Sequence, residues 1–285
     1  MLDLTRTVRF CLNGPDPARG EAGEPADPSN PIDPAARNGY AGYPPMRGLG
    51  RYYELHVRCR GEADAVTGYF MNIREIDQAV RRHVLPDLEA LLDTTRPSSV
   101  IAMGALMRRM LDLLRPALRG TVVEVALQLT PFHSLTILEP DMATILIRQR
   151  YEFAAAHRLH VPTFSDERNR EVFGKCNNPS GHGHNYEVEV AVRAPIDAQG
   201  RIVRVEELDR VVLREAIDKL DHKHLNVDVP QFAKLNPSVE NIAKVVYEML
   251  AAPVEALGVT LEEISVWETG KTRCTYRGQP VAALS

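Results

Sequence analysis

One order of sequence patterns occurs twice along these 285 residues, and that repetition restricts the possible folds more than any other feature. In the first half, residues 5–12 (TRTVRFCL) and 52–59 (YYELHVRC) alternate apolar and polar side chains, the period of half-buried strands. Ile73, Ile76, Val80 and Val84 then recur at helical spacing, residues 100–118 form a second helical segment, and strands follow at 122–129 and 134–138. The second half repeats this with strands at 147–153 and 186–192, helices at 205–220 and 238–250, and strands at 264–267 and 272–276.

Residue matches support a duplication. RGLGRYYE at 47–54 lies over SGHGHNYE at 180–187, GYFMNIREID at 68–77 over GRIVRVEELD at 200–209, Pro97-Ser98 over Pro237-Ser238, and 121–130 over 260–269. The offset is 133 at the first block, 132 at the second and 140 at the Pro-Ser pair, so the second copy holds eight additional residues between Asp209 and Pro237. That interval contains LDHKHLN at 220–226. The expectation is an α+β fold of two tandem ββααββ units on antiparallel sheets, divided as 1–140 and 141–285.

Between Gly14 and Arg47 Pro and Gly recur, which reads as a long loop. Hydrophobic content of 44% with 25% charged residues fits a globular chain, and a net charge of −4 gives no positive field for a nucleic-acid backbone. The four cysteines are too scattered for a disulfide framework, which points to a reducing cytoplasm, with Cys11, Cys59 and Cys274 read as strand thiols. No apolar run approaches the roughly 20 residues of a membrane helix.

Chemistry concentrates in the second half. His182 and His184 stand two apart at the start of a strand, so they share one face, and His157 of FAAAH ends a strand of the same copy. Three imidazoles with an open fourth position suit a catalytic zinc. Cys176, six positions before His182 on a loop rich in turn residues, is either a thiolate activated by a nearby cation or a fourth ligand. Asp221 and His222 are adjacent at a helix end, as a carboxylate-oriented imidazole for proton transfer or as a favourable helix-end His. Glu268 closes the apolar strand ISVWE, where a carboxylate needs a partner, such as the amidine-like edge of a ligand. Ser238 and Glu240 read as the N-cap and first turn of a helix, and His224 has no assigned role.

FAAAH, GKCNNPSGHGHNYEVEV, LDHKHLN, NPSVEN and WET stand in an order and spacing that resembles the 6-pyruvoyltetrahydropterin synthase family, which includes the 6-carboxytetrahydropterin synthases of queuosine biosynthesis. The resemblance covers about residues 147–280. It implies the tunnelling fold, with helices on one face of the sheet and copies assembled into a β-barrel by a homo-oligomer whose pocket lies between subunits. It also implies one zinc per chain on His157, His182 and His184, with Cys176, Asp221 and His222 as proton-transfer groups. Glu268 resembles the pterin anchor, and Ser238 and Glu240 match weaker pterin-pocket positions. The implied activity is a zinc-dependent lyase converting 7,8-dihydroneopterin triphosphate to 6-pyruvoyltetrahydropterin; a carboxy-forming enzyme and a non-catalytic pterin-binding protein are the alternatives. The Cys176 to His182 interval resembles the pyruvoyl-forming branch.

In the first copy Leu49 and Arg51 stand where the second has His182 and His184, Gly14 stands for His157 and Leu129 for Glu268. The 14–47 stretch has no Cys, and nothing corresponds to Asp221 and His222. That copy is expected to bind no metal and to serve packing and assembly.

Overall fold

The computed structural model describes residues 1–12, 46, 50–91 and 102–278. The 14–47 stretch apart from 46, Gly14, Leu49 and the Pro97-Ser98 pair lie outside them. Two compact units form: Met1–Ile145 with Ile196–Ile202, and Leu146–Pro195 with Val203–Ser285.

Unit 1 pairs β1 (Leu2–Leu12), β2 (Arg51–Gly61), β3 (Val122–Thr130) and β4 (His133–Leu138) in that order, all antiparallel. Alternation sets its faces: Val8 and Phe10, Leu55 and Val57, and Val125 and Leu127 are buried, while Arg9, Glu54, His56 and Arg58 lie opposite. Three α-helical stretches follow β2: α1 (Ile73–Ala79), running through a π-helical turn (Val80–Val84) into α2 (Leu85–Leu91), then α3 (Met103–Ala117). Asn72 caps α1 by accepting from the Arg74 N–H. α3 packs on β3 and β4, burying Leu106, Met107, Met110, Leu111 and Leu114. Each such side chain contributes about 1.5–3 kcal/mol relative to exposure.

The residues 196–202 join unit 1 because the Ala105 N–H donates to Gly200 O at 2.9 Å and the Ile196 N–H to Ala143 O at 2.9 Å. Gly104 permits this approach, since a Cβ there would lie 2.6 Å from Ile196 Cγ2. A buried carboxylate inside unit 1 is Asp77, whose two oxygens accept from Arg6 Nε at 2.8 Å and Arg81 Nε at 2.9 Å.

Unit 2 contains β5 (Thr144–His157), α4 (Asp166–Phe173), β6 (His182–Pro195), α5 (Val205–Val212), a second π-helical turn (Leu213–Ile217), α6 (Asp218–Leu220), β7 (Lys223–His224), α7 (Leu225–Asp228), α8 (Val239–Glu255), β8 (Thr260–Thr269) and β9 (Thr272–Tyr276). Its sheet runs β5-β6-β8-β9, with β7 parallel to β5. α8 buries Ile242, Ala243, Val245, Val246 and Leu250 against the sheet face that carries Val188, Val190, Ile264 and Val266. The opposite face is charged: Arg148 bridges Glu189 at 3.0 Å and Glu263 at 2.6 Å, and Arg150 lies over Trp267. The periodicities therefore locate the main strands and helices, while α4 occupies a stretch that reads as loop. Cys11 and Cys59 are buried strand residues, and Cys274 is partly so.

Candidate metal centre and active site

The site forms where the buried stripe of unit 2 reaches one end of its sheet. Phe153 and Ala155 lead to His157 on β5, Tyr186 and Val188 lead back to His184 and His182 on β6, and Ile264 and Val266 lead to Glu268 on β8. The period of two that fills the core thus aims these four side chains at one place.

One nitrogen from each of His157, His182 and His184 lies within 4.8 Å of the others. His157 is fully buried, and because a carbonyl only accepts, its Nδ1–H donates to Pro237 O at 2.7 Å. That fixes the tautomer and leaves Nε2 as a bare lone pair, 3.1 Å from His182 Nε2. Burial pushes the His157 pKa down to about 4, so the ring is neutral at physiological pH. Burial also lowers the pKa of His182. The Tyr186 hydroxyl lies 3.4 Å from His157 Nδ1, and the Tyr186 ring stacks on Phe153.

These groups fit a cation. Glu268 Oε1 is 3.4 Å from His157 Nε2 and 3.7 Å from His184 Nε2, and a carboxylate beside imidazole lone pairs repels them unless positive charge lies between. His184 Nε2 is buried with no hydrogen-bond partner. Zinc–nitrogen bonds of 2.0–2.1 Å in a tetrahedron would separate ligand nitrogens by roughly 3.3 Å, close to the His157–His182 spacing.

Cys176 sits in a 3₁₀ turn (Gly174–Asn177) after α4. Its carbonyl accepts from the Leu159 N–H at 2.8 Å, and buried Asn177 returns a hydrogen bond to Leu159 O at 2.7 Å, tying the thiol loop to the chain beyond His157. Burial, then the Glu268 charge, hold the Cys176 thiol above its ordinary pKa, which disfavours the thiolate.

Asp221 ends α6 in an extended conformation and His222 follows with φ +56°. Asp221 Oδ1 accepts from the Ala154 N–H at 2.8 Å and Oδ2 faces His222 Nδ1 at 2.7 Å, so β5 fixes the carboxylate and the carboxylate orients the ring. The Ala154 N–H, then His222, hold the Asp221 pKa below its ordinary value. The His222 side chain is 83% exposed.

Ser238 is the N-cap of α8, accepting from the Asn241 N–H, and Glu240 is exposed in its first turn. Three contributors were not visible in the sequence: the Pro237 carbonyl, the Tyr186 hydroxyl and His224. The last comes close to the loop before His182, where a Cβ on Gly181 would lie 2.8 Å from His224 Nε2. Gly181, with φ +72°, was the available signal for that approach. Among the described residues this is the only three-ligand cluster. In unit 1 Arg51 is exposed at the start of β2 and Leu129 lies in β3.

Sheet and site together define an antiparallel α+β unit with three histidines converging at the end of its buried stripe, an arrangement able to hold a metal ion. The family model for 6-pyruvoyl tetrahydropterin synthase matches residues 146–279. A 6-pyruvoyl tetrahydrobiopterin synthase of Poecilia reticulata is 45% identical over 129 residues, spanning 45% of this chain and 86% of the relative. The Homo sapiens protein of that name is 40% identical over 134 residues, 47% of this chain and 91% of its own. The chain belongs to the 6-pyruvoyl tetrahydropterin synthase family. A solved Caenorhabditis elegans 6-pyruvoyl tetrahydropterin synthase aligns with a TM-score of 0.45 and 34% identity, over 48% of this chain and 96% of that one.

Proposed function

We propose that the protein is a zinc-dependent lyase converting 7,8-dihydroneopterin triphosphate to 6-pyruvoyltetrahydropterin with release of triphosphate. The observation that carries this reading is the convergence of three imidazoles and Glu268 on one point, with a buried His184 Nε2 that no protein group satisfies. His157, His182 and His184 would hold the metal. Zinc bound there would supply Lewis acidity for the substrate's side-chain hydroxyls and positive charge that favours a Cys176 thiolate. Cys176 Sγ accepts a proton from the side-chain carbinol carbon next to the ring, and His222, oriented by Asp221, returns a proton to the ring. This carbinol thereby becomes a ketone while the ring C=N takes up the two hydrogens it loses, and no outside reductant is needed. Loss of triphosphate converts the second carbinol, through its enol, to a methyl ketone. The C–O bond to triphosphate breaks and its electron pair leaves with the triphosphate. Glu268 holds the pterin, with Ser238 and Glu240 at the edge of the pocket.

No helix among the described residues is long and apolar enough to cross a membrane. We also propose that unit 1 is a duplicate without a metal site, that each chain holds one zinc, and that copies join through open sheet edges into an oligomeric barrel. Incubating the zinc-loaded protein with 7,8-dihydroneopterin triphosphate and identifying the product by mass spectrometry tests the activity. A 6-carboxy product would assign the other branch, and no triphosphate release would leave only binding. Cys176→Ala should keep its zinc and lose turnover, by about 10²–10⁴-fold.

A further inference from the structure

A cleft of about 580 Å³ opens beside His184 in unit 2. Its floor is the alanine run at 154–156, whose short side chains leave the volume unfilled, and its walls carry His184, Asn185, His222, Lys223 and His224. The wall is set by backbone pairing. The His222 N–H donates to Ala154 O at 2.6 Å, Lys223 pairs with Ala155, and His224 pairs with Ala156. Among the described residues no carboxylate lines this cleft, although acidic residues outnumber Lys and Arg by 38 to 34 in the chain. Asp221, the nearest acid in sequence, is committed to the Ala154 N–H and His222. Lys219 reaches Glu215 at 2.8 Å, whereas exposed Lys223 has no ion pair with any described carboxylate.

We propose that this cleft is the polyphosphate subsite, with the Lys223 side chain contacting the leaving group. The inference rests on the functional reading above, since a substrate whose side chain reaches the metal must extend its triphosphate from that centre. A cleft walled by imidazoles, a carboxamide and an unpaired ammonium next to His184 offers donors and positive charge and no repelling acid. Lys223 leaves the metal and pterin contacts untouched, so its loss should act on phosphate affinity alone.

The test uses the full zinc-loaded chain and inorganic triphosphate, with binding read by calorimetry and zinc content measured before and after. Wild type should bind one triphosphate per chain; Lys223→Gln should weaken that binding about tenfold or more, and Lys223→Arg should restore most of it. Affinity for phosphate-free neopterin should stay unchanged in Lys223→Gln. Equal triphosphate affinity in wild type and Lys223→Gln, no binding by wild type, or equal loss of neopterin and triphosphate would each overturn the proposal. If triphosphate binds in a Lys223-dependent way but wild type releases none from 7,8-dihydroneopterin triphosphate, the subsite stands and the lyase reading fails.

Discussion

In unit 1 Glu54 faces Gln128 across β2 and β3, and in unit 2 Glu187 faces Trp267 across β6 and β8, positions that the sequence matches at offsets of 133 and 139 superpose. The irregularities fall in corresponding places too. Register shifts occur at Arg58/Cys59 and Ala191/Val192, and again at Gln128/Thr130 and Trp267/Thr269. Each unit runs the first helix after its second strand, α1 and α5, into a π-helical turn and places a proline late in its last long helix, Pro116 and Pro253. What differs is the end of the buried stripe. In unit 2 it finishes in His157, His182, His184 and Glu268, while the described part of unit 1 has no such cluster and buries instead the Asp77 carboxylate between two arginines. The scaffold needs only the apolar period, bulges and turns; the chemistry needs a few polar side chains at strand ends, so it varies without disturbing the sheet.

The most severe way to break this comparison is metal analysis. Wild type should hold close to one zinc per chain, and His182→Ala should lose it together with activity, by at least roughly a hundredfold. Arg51→Ala in unit 1 should change neither, and two zinc ions per wild-type chain would show that unit 1 also binds. Next is Asp77 of unit 1, the one buried carboxylate among the described residues. Asp77→Ala should cost about 3–5 kcal/mol in denaturant unfolding, because it removes the buried carboxylate that accepts from both Arg6 and Arg81. Tyr151→Phe in unit 2, removing the 2.8 Å bond to Asp209, should cost about 1 kcal/mol. Similar values for the two would deny the distinction.

The third prediction concerns the cost of the metal site in the metal-free protein. His157 titrates near 4 when folded and near 6.5 when unfolded, so between those values the unfolded chain binds the extra proton. Stability should be full above pH 6.5 and fall by roughly 3 kcal/mol as the pH drops toward 4. Unfolding curves across that window should flatten in His157→Asn, and an equally steep fall in the variant would assign the loss to other groups. The smallest effect compares two glycines of similar backbone conformation. Gly120→Ala, at φ +73° with open space around it, should cost about 1 kcal/mol. Gly181→Ala, at φ +72°, adds contacts of 2.8 Å to His224 Nε2 and 3.0 Å to His157 O, and should cost roughly twice as much and weaken zinc binding. Equal melting temperatures would remove the packing role of Gly181.

Much of this was legible because period and spacing are local. The two-residue interval of His182 and His184 requires a shared face on any strand, and the alternation of β6 and β8 requires that face to be the buried one. Strand ends were harder to place, since β5 and β6 extend beyond their clear alternation at both ends. α4 was missed because DERNREVF is almost wholly polar and buries only Asn169, whose side chain holds the loop through Val161. His222 stands after a helix as expected, but its positive φ and its attachment to β5 through Asp221 come from contacts 67 residues apart.

Residue type and short-range period fixed the succession of strands and helices, the faces of the strands and the three histidines that share the buried stripe of unit 2, because none of these needs a distant partner. Only the tertiary structure decided which nitrogen of His157 is free, that Glu268 comes within 3.4 Å of it, and that His224 and Lys223 line a cleft along the alanine run. Such facts depend on a carbonyl 80 residues away and on a parallel two-residue pairing, and no local pattern encodes a contact whose partners meet only when the sheet closes around its core.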